Sequence, residues 1–211
     1  MKVTLISHTP NPQWLIETCA RISYDSKNEP FDPKVNSEFI RKLVKNGHES
    51  PLEHASATFL IEDVSRTCSH QIVRHRLASF SQKSGRYTEH ESLMDGIVYP
   101  MSVARLIHEN TEVSSLQLRT ISHLNAFVDM LEKNGVPKED ARFFMPQAEC
   151  TSLYMTANFR EWRHFLKLRL DRHAQWEIRA VAREILRQLC VDGMYDCFAD
   201  IQAEFDSEAE K

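Results

Sequence analysis

The stretch that organises this chain is residues 65–87, which read SRTCSHQIVRHRLASFSQKSGRY. From Val64 to His90 there are five Lys or Arg residues and one acid, although the whole chain carries a formal net charge of −4. A local positive field in an acidic protein indicates an anionic ligand. Arginine suits bidentate contacts to phosphate, and the neighbouring hydroxyls and amides supply neutral donors.

The local pattern of this stretch changes half-way. Apolar or small residues recur at helical spacing over Val64–Val73, which predicts a helix. Phe80–Gly85 is rich in turn-formers and has no apolar periodicity, so we expect the chain to leave the helix near Arg76. Arg74, His75 and Arg76 would point in different directions in the middle of a helix, but they can converge at its end.

Composition bounds the class of protein. At 211 residues and 42% apolar content, with no break that would mark a linker, residues 1–211 are predicted to form a single domain. The five cysteines are odd in number and lack a Cys-x-x-Cys pair, so neither a disulfide framework nor a zinc ribbon is indicated. A reducing cytoplasm fits this pattern best.

Neither end of the chain indicates a membrane. The apolar segment Met1–Ile6 is too short for a signal peptide, and no run approaches the roughly 18 residues of a membrane span, so we expect no membrane partner. Phe198–Lys211 contains five acids and one Lys and is predicted to be a solvated tail, most clearly from about residue 204 to 211.

Periodicity, caps and breakers predict the remaining elements. Asp32 and Asn158 are predicted helix N-caps, and Ser26–Asp32 is predicted to be a loop. Strands are expected at Lys2–His8, Ala55–Ile61 and Glu149–Ala157. Helices are expected at Gln13–Ile22, from Pro33 to Gly47, and at Ser102–Asn134, Pro137–Pro146, Phe159–Leu170, Ala174–Val191 and Gly193–Ala203.

Two further segments bear candidate ligand-binding residues. Gly47–His54 holds His48 and His54, which either cap a helix-to-strand junction or bind a metal, although their spacing matches no familiar metal pattern. Ala141–Arg187 contains nine Lys or Arg and five acids, so it can close over the same anions. Within it, Arg142 is either packed along its stem or a ligand contact.

Glycine usage excludes the common phosphate cradles. The chain has five glycines, with no Gly-x-Gly pair and no Walker loop, so it has neither a Rossmann nor a P-loop site. Side chains must therefore hold any phosphate, in agreement with the cationic clusters.

Four ordered blocks between His48 and Gln175 resemble the flavin-dependent thymidylate synthases. The signature is Arg74-His75-Arg76, then seven residues, then Ser84, followed by Arg86-Tyr87. Gly47–His54, the Ala-Arg-x-x-x-Pro block that contains Arg142, and Asn158–Gln175 are similar to the other blocks of that family.

The resemblance implies an α+β fold with a central, mostly antiparallel sheet and long packed helices, assembled as a homotetramer with four shared active sites. It implies reductive methylation of dUMP to dTMP, with methylenetetrahydrofolate as the one-carbon donor, FAD as the hydride carrier and NADPH as the reductant. The partners expected are therefore dUMP, folate and NADPH, with no nucleic acid and no metal.

The resemblance also assigns site residues. The residues implied to bind FAD are His48, Ser50, Glu53, Arg74, His75, Arg76, Gln82, Asn158, Phe159, Arg160 and His164, the first three from a neighbouring subunit. Those implied to bind dUMP are Gln71, Arg74, Gln82, Lys83, Ser84, Gly85, Arg86, Arg142, Arg169 and His173. Ser81 and Gln82 stand where many members of the family have Asn and Glu, so a carboxylate is missing there.

Arg169 matches the catalytic arginine of the family. The chain lacks the Cys-His pair of the folate-dependent thymidylate synthases, so the uracil has to be activated by negative charge at N3, which a planar guanidinium stabilises. His173 lies on the same face if the helix continues. The alternative is that Arg169 pairs with Asp171 or caps the helix. Ser84 is assigned to hydrogen bonding with the dUMP phosphate, since an unactivated hydroxyl is a weak nucleophile.

Two other classes of protein compete with this interpretation. A nucleic-acid-binding protein would need a contiguous basic face, against which the net charge and the acidic end argue. A metallohydrolase built on His48, His54, His70 and His75 lacks a recognisable ligand spacing.

Overall fold

The computed structural model describes residues 1–23, 25–26, 32–87, 93, 96–191 and 193–209. The strands are β1 (Lys2–His8), β2 (Ser56–Ser65), β3 (Ala78–Gln82) and β4 (Cys150–Asn158). They form one antiparallel sheet in the order β1-β2-β4-β3. The predicted α+β class is confirmed.

The helices of the described residues surround this sheet in sequence. They are α1 (Pro12–Ile22), α2 (Pro33–Lys45), α3 (Arg66–Ile72), α4 (Met101–Glu109), α5 (Thr111–Lys133), α6 (Lys138–Ala141), α7 (Phe159–Leu170), α8 (Trp176–Leu189) and α9 (Ala199–Ala209). Short 3₁₀ helices occur at Ser50–His54, Arg142–Phe144 and Tyr195–Cys197. None of these helices is long and apolar enough to cross a membrane.

The chain comprises two compact units. The first unit contains Met1, Glu62–Gln71 and Ser81–Leu153, and the second contains Lys2–Ile61, Ile72–Phe80 and Tyr154–Lys211. Strands β2, β3 and β4 each contribute residues to both units. The single-domain assignment stays a prediction.

The predicted helix over Val64–Val73 is shorter in the structure. Val64 belongs to β2, and the Ser65 hydroxyl accepts a hydrogen bond from the backbone N–H of Cys68 at 3.0 Å, which caps α3. The helix ends at Ile72 rather than near Arg76. The predicted turn over Phe80–Gly85 is wrong in its first half, because β3 extends to Gln82; its alternation of small polar residues hid an edge strand.

The single long helix predicted over Ser102–Asn134 is two helices. The side chain of Asn110 accepts hydrogen bonds from the N–H groups of Glu112 at 3.0 Å and Val113 at 3.1 Å, so it caps α5 and ends α4. A polar residue that satisfies the free donors of a new helix outweighs a continuous apolar pattern. The predicted C-terminus is correct, with Gly135 in a left-handed conformation at φ 84°.

The core of the second unit is built on α7. The indole of Trp162 contacts Phe59 edge-to-face, with ring centroids 5.1 Å apart, and donates to the carbonyl of Ala57 at 3.1 Å. The predicted N-cap is present, since the Asn158 side chain accepts from the N–H of Glu161 at 2.9 Å. This cap fixes the start of α7 at Phe159 and thereby the direction of each of its faces.

The C-terminal segment differs from both predictions made for it. Phe198 is fully buried against Phe159, with ring centroids 5.2 Å apart, and α9 continues to Ala209, so most of the predicted solvated tail is a packed helix. The helix predicted at Gly193–Ala203 is instead a 3₁₀ turn followed by α9. Residues 210–211 and, in the predicted Ser26–Asp32 loop, residues 27–31 lie outside the described residues.

Candidate active site

A polar groove of about 880 Å³ lies within the second unit. Its lining residues are Glu49, Glu53, Arg74, His75, Arg76, Leu77, Asn158, Arg160, Glu161, His164, Leu168 and Arg169. Four arginines face three glutamates in this set, and the volume is that of a site for a cofactor or a nucleotide. The groove is therefore suited to a large anionic ligand.

The turn after α3 supplies one wall of the groove. The backbone N–H of His75 donates to the carbonyl of Ile72 at 3.2 Å, which closes the turn directly after the helix. Arg74 and Arg76 are exposed, whereas His75 is only 4% exposed. All three residues line the groove, which is the convergence that the sequence predicts for a helix end.

Helix α7 supplies the opposing cations. Its exposed face carries Arg160 and His164, both of which line the groove. Arg160 Nη1 lies 2.5 Å from Glu53 Oε1, and this hydrogen bond raises the pKa of the guanidinium. An anionic ligand that binds Arg160 therefore competes with a carboxylate of the same unit.

The most buried part of the groove is a chain of three side chains. His75 Nδ1 lies 3.1 Å from Glu161 Oε1, and Arg169 Nε donates to His75 Nε2 at 3.1 Å. Glu161 is 4% exposed. Burial, the largest influence, lowers the pKa of His75, and the charge of Arg169 acts in the same direction against the opposing hydrogen bond from Glu161.

One cation of the predicted anion-binding region does not reach the groove. Arg163 is 1% exposed and points into the core, where it donates to Glu49 at 3.0 Å, Asp200 at 2.7 Å and the carbonyl of Cys197 at 2.5 Å. The expectation that the cations of α7 close over one anion is therefore wrong for Arg163. Helical geometry separates it by about 100° per residue from its neighbours on the groove face.

A metal alternative also maps to the groove. Within the described part of the chain, the His, Cys, Asp or Glu group with ligand atoms close enough to share an ion is His75, Glu161 and His164, all within 4.8 Å of one another. Both ring nitrogens of His75 already have hydrogen-bond partners in Glu161 and Arg169. A metal would have to displace a neighbouring arginine cation to bind there.

The phosphate-binding residues predicted around Ser84 belong to the first unit. The Ser84 hydroxyl accepts from the backbone N–H of Arg86 at 3.2 Å, and a Cβ at Gly85 would be 3.8 Å from the side chain of Arg142. Arg86 forms an ion pair with Glu139. Within this unit the structure therefore brings Ser84, Gly85, Arg86 and Arg142 together, as one cluster with two guanidinium groups.

Comparison with known proteins identifies the family. Residues 4–191 match the family model described as "Thymidylate synthase complementing protein". The chain is 42% identical over 194 residues to the flavin-dependent thymidylate synthase of Geobacter sulfurreducens, covering 89% of this chain and 81% of that protein. The chain belongs to the flavin-dependent thymidylate synthase family. The enzyme of the same name from Pyrococcus furiosus is 39% identical over 197 residues, which are 90% of this chain and 79% of the relative.

The fold agrees with this family membership. A solved structure, the UMP/dUMP methylase PolB from Streptomyces cacaoi bound with 5-Br dUMP, matches with a TM-score of 0.79. The match covers 94% of each chain at 24% sequence identity. At that identity the likeness shows the fold.

Several residues that the flavin-dependent thymidylate synthase signature implies lie outside the groove lining. His48 and Ser50 are exposed, and Phe159 has its ring in the core. His173 is exposed beyond the end of α7, which stops at Leu170, so the predicted common helical face with Arg169 does not exist.

Three further residues implied to bind dUMP or FAD lie in the first unit. Gln71 and Gln82 are half-buried, and Lys83 is exposed. Gln82 Nε2 donates to the hydroxyls of Ser69 at 3.0 Å and Thr151 at 3.2 Å. Hydroxyls accept from an amide or donate to a carboxylate, so this pocket accommodates either Gln or Glu.

Sequence reasoning missed Glu161 as a residue of the groove. The sequence signal was present, because an acid three residues after an N-cap Asn is the pattern of a capping box. That pattern indicates a local helical role. Only the fold reveals that the carboxylate contacts His75 instead, 86 residues away in the chain.

Proposed function

We propose that this protein converts dUMP to dTMP by reductive methylation, with methylenetetrahydrofolate as the one-carbon donor, FAD as the hydride carrier and NADPH as the reductant. Membership of the flavin-dependent thymidylate synthase family supports the reaction. The observation that carries the proposal is the groove of the second unit, which gathers the Arg-His-Arg signature and Arg169 in one place.

The donors of the groove fit FAD. The diphosphate requires cations and neutral donors, which Arg74, Arg76, Arg160 and Asn158 provide without a glycine-rich loop. His164 and the ring of His75 provide planar surfaces beside them. When bound, the flavin supplies the two electrons that reduce the transferred carbon to a methyl group.

The Ser84 cluster of the first unit fits the phosphate of dUMP. Ser84 offers a hydroxyl, Gly85 a backbone without a side chain, and Arg86 and Arg142 two guanidinium groups. The ion pair of Arg86 with Glu139 is exposed and therefore cheap to exchange for a phosphate. Gln71, Gln82 and Lys83 complete this side of the proposed dUMP site.

Arg169 is proposed to act on the uracil. Its guanidinium faces N3 and an adjacent carbonyl, and so stabilises the ring with negative charge at N3 while C5 attacks the one-carbon unit. Arginine suits this role, since it remains charged and presents two parallel donors.

We further infer that the protein is a single-domain subunit of a cytoplasmic homotetramer with shared active sites. The described surface of α4 and α5 supports an interface, because it exposes large apolar side chains that a monomer rarely displays together. They include Leu106, Leu116, Leu118, Phe127 and Met130. His48, Ser50 and Glu53 then serve a neighbouring subunit's flavin.

The test begins with purified protein. It should be yellow, release FAD on denaturation, and form dTMP from dUMP only when methylenetetrahydrofolate and NADPH are both present. Arg76→Ala should lose most of the FAD affinity, and Ser84→Ala should raise the KM for dUMP and leave measurable turnover. Protein that stays colourless with added FAD and makes no dTMP would contradict the proposal, as would a covalent Ser84–nucleotide adduct contradict the role of Ser84.

A further inference from the structure

The hydrogen bonds of His75 determine its tautomer. An arginine side chain has donors only, so the Nε2 atom that receives the bond from Arg169 at 3.1 Å has to be unprotonated. The proton of the neutral ring is then on Nδ1, which donates it to Glu161 Oε1 at 3.1 Å. The lowered pKa of the buried ring agrees with a neutral imidazole.

The two residues behind Arg169 are held rigidly. The His75 side chain is 2% exposed and packs edge-to-face on Phe165, with ring centroids 4.8 Å apart. Glu161 is on the first turn of α7, where the Asn158 cap holds its backbone. Neither side chain can rotate without disturbing the core.

The third member takes its orientation from this pair. Because Nε of Arg169 is committed to His75, the plane of the guanidinium is fixed and its two Nη atoms form the edge that a planar ligand meets. The opposite tautomer of His75 would set an N–H against the N–H of Arg169. We propose that Glu161 is a positioning residue, which fixes the His75 tautomer and thereby holds Arg169 in the orientation that uracil activation requires.

This inference rests on the proposed role of Arg169 in dUMP activation. A carboxylate that orients an imidazole is a common device for fixing which ring nitrogen carries the proton. Here the imidazole passes that orientation to a guanidinium. If Glu161 were only a buried residue of the first helical turn, its replacement would affect folding and leave the orientation of Arg169 unchanged.

The discriminating variant is Glu161→Gln, which has the same shape. The amide can turn either its oxygen or its nitrogen toward His75 Nδ1, so the tautomer is no longer determined. The chain offers a matched control in Glu177→Gln. Glu177 is 2% exposed, is on the first turn of α8, and has its backbone N–H bonded to the N-cap side chain of Gln175 at 3.0 Å.

Two readouts separate positioning from structure. Glu161→Gln should lower kcat for dTMP formation by about 10–100-fold, the usual cost of losing an orienting partner, and retain FAD. The nitrogen-15 NMR shifts of the His75 ring should show the Nδ1–H tautomer in wild type and a mixture in the variant. Glu177→Gln should match wild type in both. Wild-type kcat and an unchanged tautomer in Glu161→Gln would overturn the inference.

A double variant tests whether Glu161 acts through Arg169. Combined with Arg169→Lys, Glu161→Gln should cause no further loss of kcat, because residues that act as a unit are strongly non-additive. Losses that multiply would overturn the inference. The ring shifts need no turnover, so they judge the tautomer even if wild-type protein makes no dTMP, a result that would refute the proposed function alone.

Discussion

Helix α7 presents the same residue type to two different environments. On its core face, Arg163 is 1% exposed and bonds to Glu49, Asp200 and a backbone carbonyl. On its groove face, Arg160 is exposed and has an ion pair with Glu53. Three residues of sequence separate an internal anchor from a candidate ligand contact.

The difference teaches that charge alone does not identify a binding residue. A buried guanidinium has to be neutralised by the protein, and the pKa of Arg163 is raised because its two carboxylates outweigh the larger cost of burial. An exposed guanidinium is held weakly and can exchange partners. Arg169 is an intermediate case, since its Nε bonds to the neutral ring of His75.

The largest expected effect concerns catalysis from the groove. Arg169→Lys should lower the rate of dTMP formation by about 10²–10³, because lysine cannot reproduce a two-point contact to a planar ligand. FAD content and reduction by NADPH should persist, measured by absorbance of the flavin. Arg172→Lys, an exposed change nearby, is the control. Wild-type turnover of Arg169→Lys at saturating dUMP would show that the residue is structural.

The core face should respond in stability instead. Arg163→Leu should lower the free energy of unfolding by about 2–4 kcal/mol, measured by urea denaturation, because it strands two carboxylates and removes a bond to Cys197. The same substitution at Arg160 should cause no measurable loss of stability. Equal losses at the two positions would contradict the division of α7 into an anchor face and a ligand face.

The anchor should also be sensitive to acid. Burial opposes ionisation of Asp200, but its bonds with Arg163 outweigh this, so the pKa of Asp200 is lowered. A lowered folded-state pKa gives stability that is present above the unfolded value of about 3.9 and lost as pH falls through the folded value. Asp200→Asn should therefore cost stability at pH 7 and progressively less below about pH 4.

The size of this acid effect is limited by exposure. The Asp200 side chain is 45% exposed, so solvent screening holds the loss to about 1 kcal/mol or less. Urea unfolding at the two pH values measures it, with Asp206→Asn, an exposed change on the same helix, as the control. A constant difference between wild type and Asp200→Asn across the pH range would refute the assignment.

The smallest effect is expected at the exposed pair. Glu53→Gln should tighten FAD binding by no more than about five-fold, because it frees Arg160 from a weak ion pair. Titration of the apoprotein with FAD, followed by flavin fluorescence, measures it. The gain should vanish when Arg160→Gln is added. Weaker binding of Glu53→Gln would instead favour the direct flavin contact that the family resemblance implies for Glu53.

Local chemistry let the sequence determine much of this protein. The caps at Asp32 and Asn158, the stop at Gly135 and the extent of α7 follow from residues within a few positions, and the structure has them where the sequence predicts. The same applies to the family, because the spacing of its signature is a property of the chain. Where two local signals conflicted, as at Asn110, the cap prevailed over the apolar pattern.

Only the tertiary structure decided which face of each helix is the core. Helical periodicity shows that Arg160 and Arg163 point in different directions, but long-range packing determines which of them meets Asp200. Glu161 meets His75 from 86 residues away, and His75 meets Arg169 from 94. A sequence pattern records neighbours within a turn, whereas the tautomer of His75 and the orientation of Arg169 depend on contacts that exist only after the chain has folded.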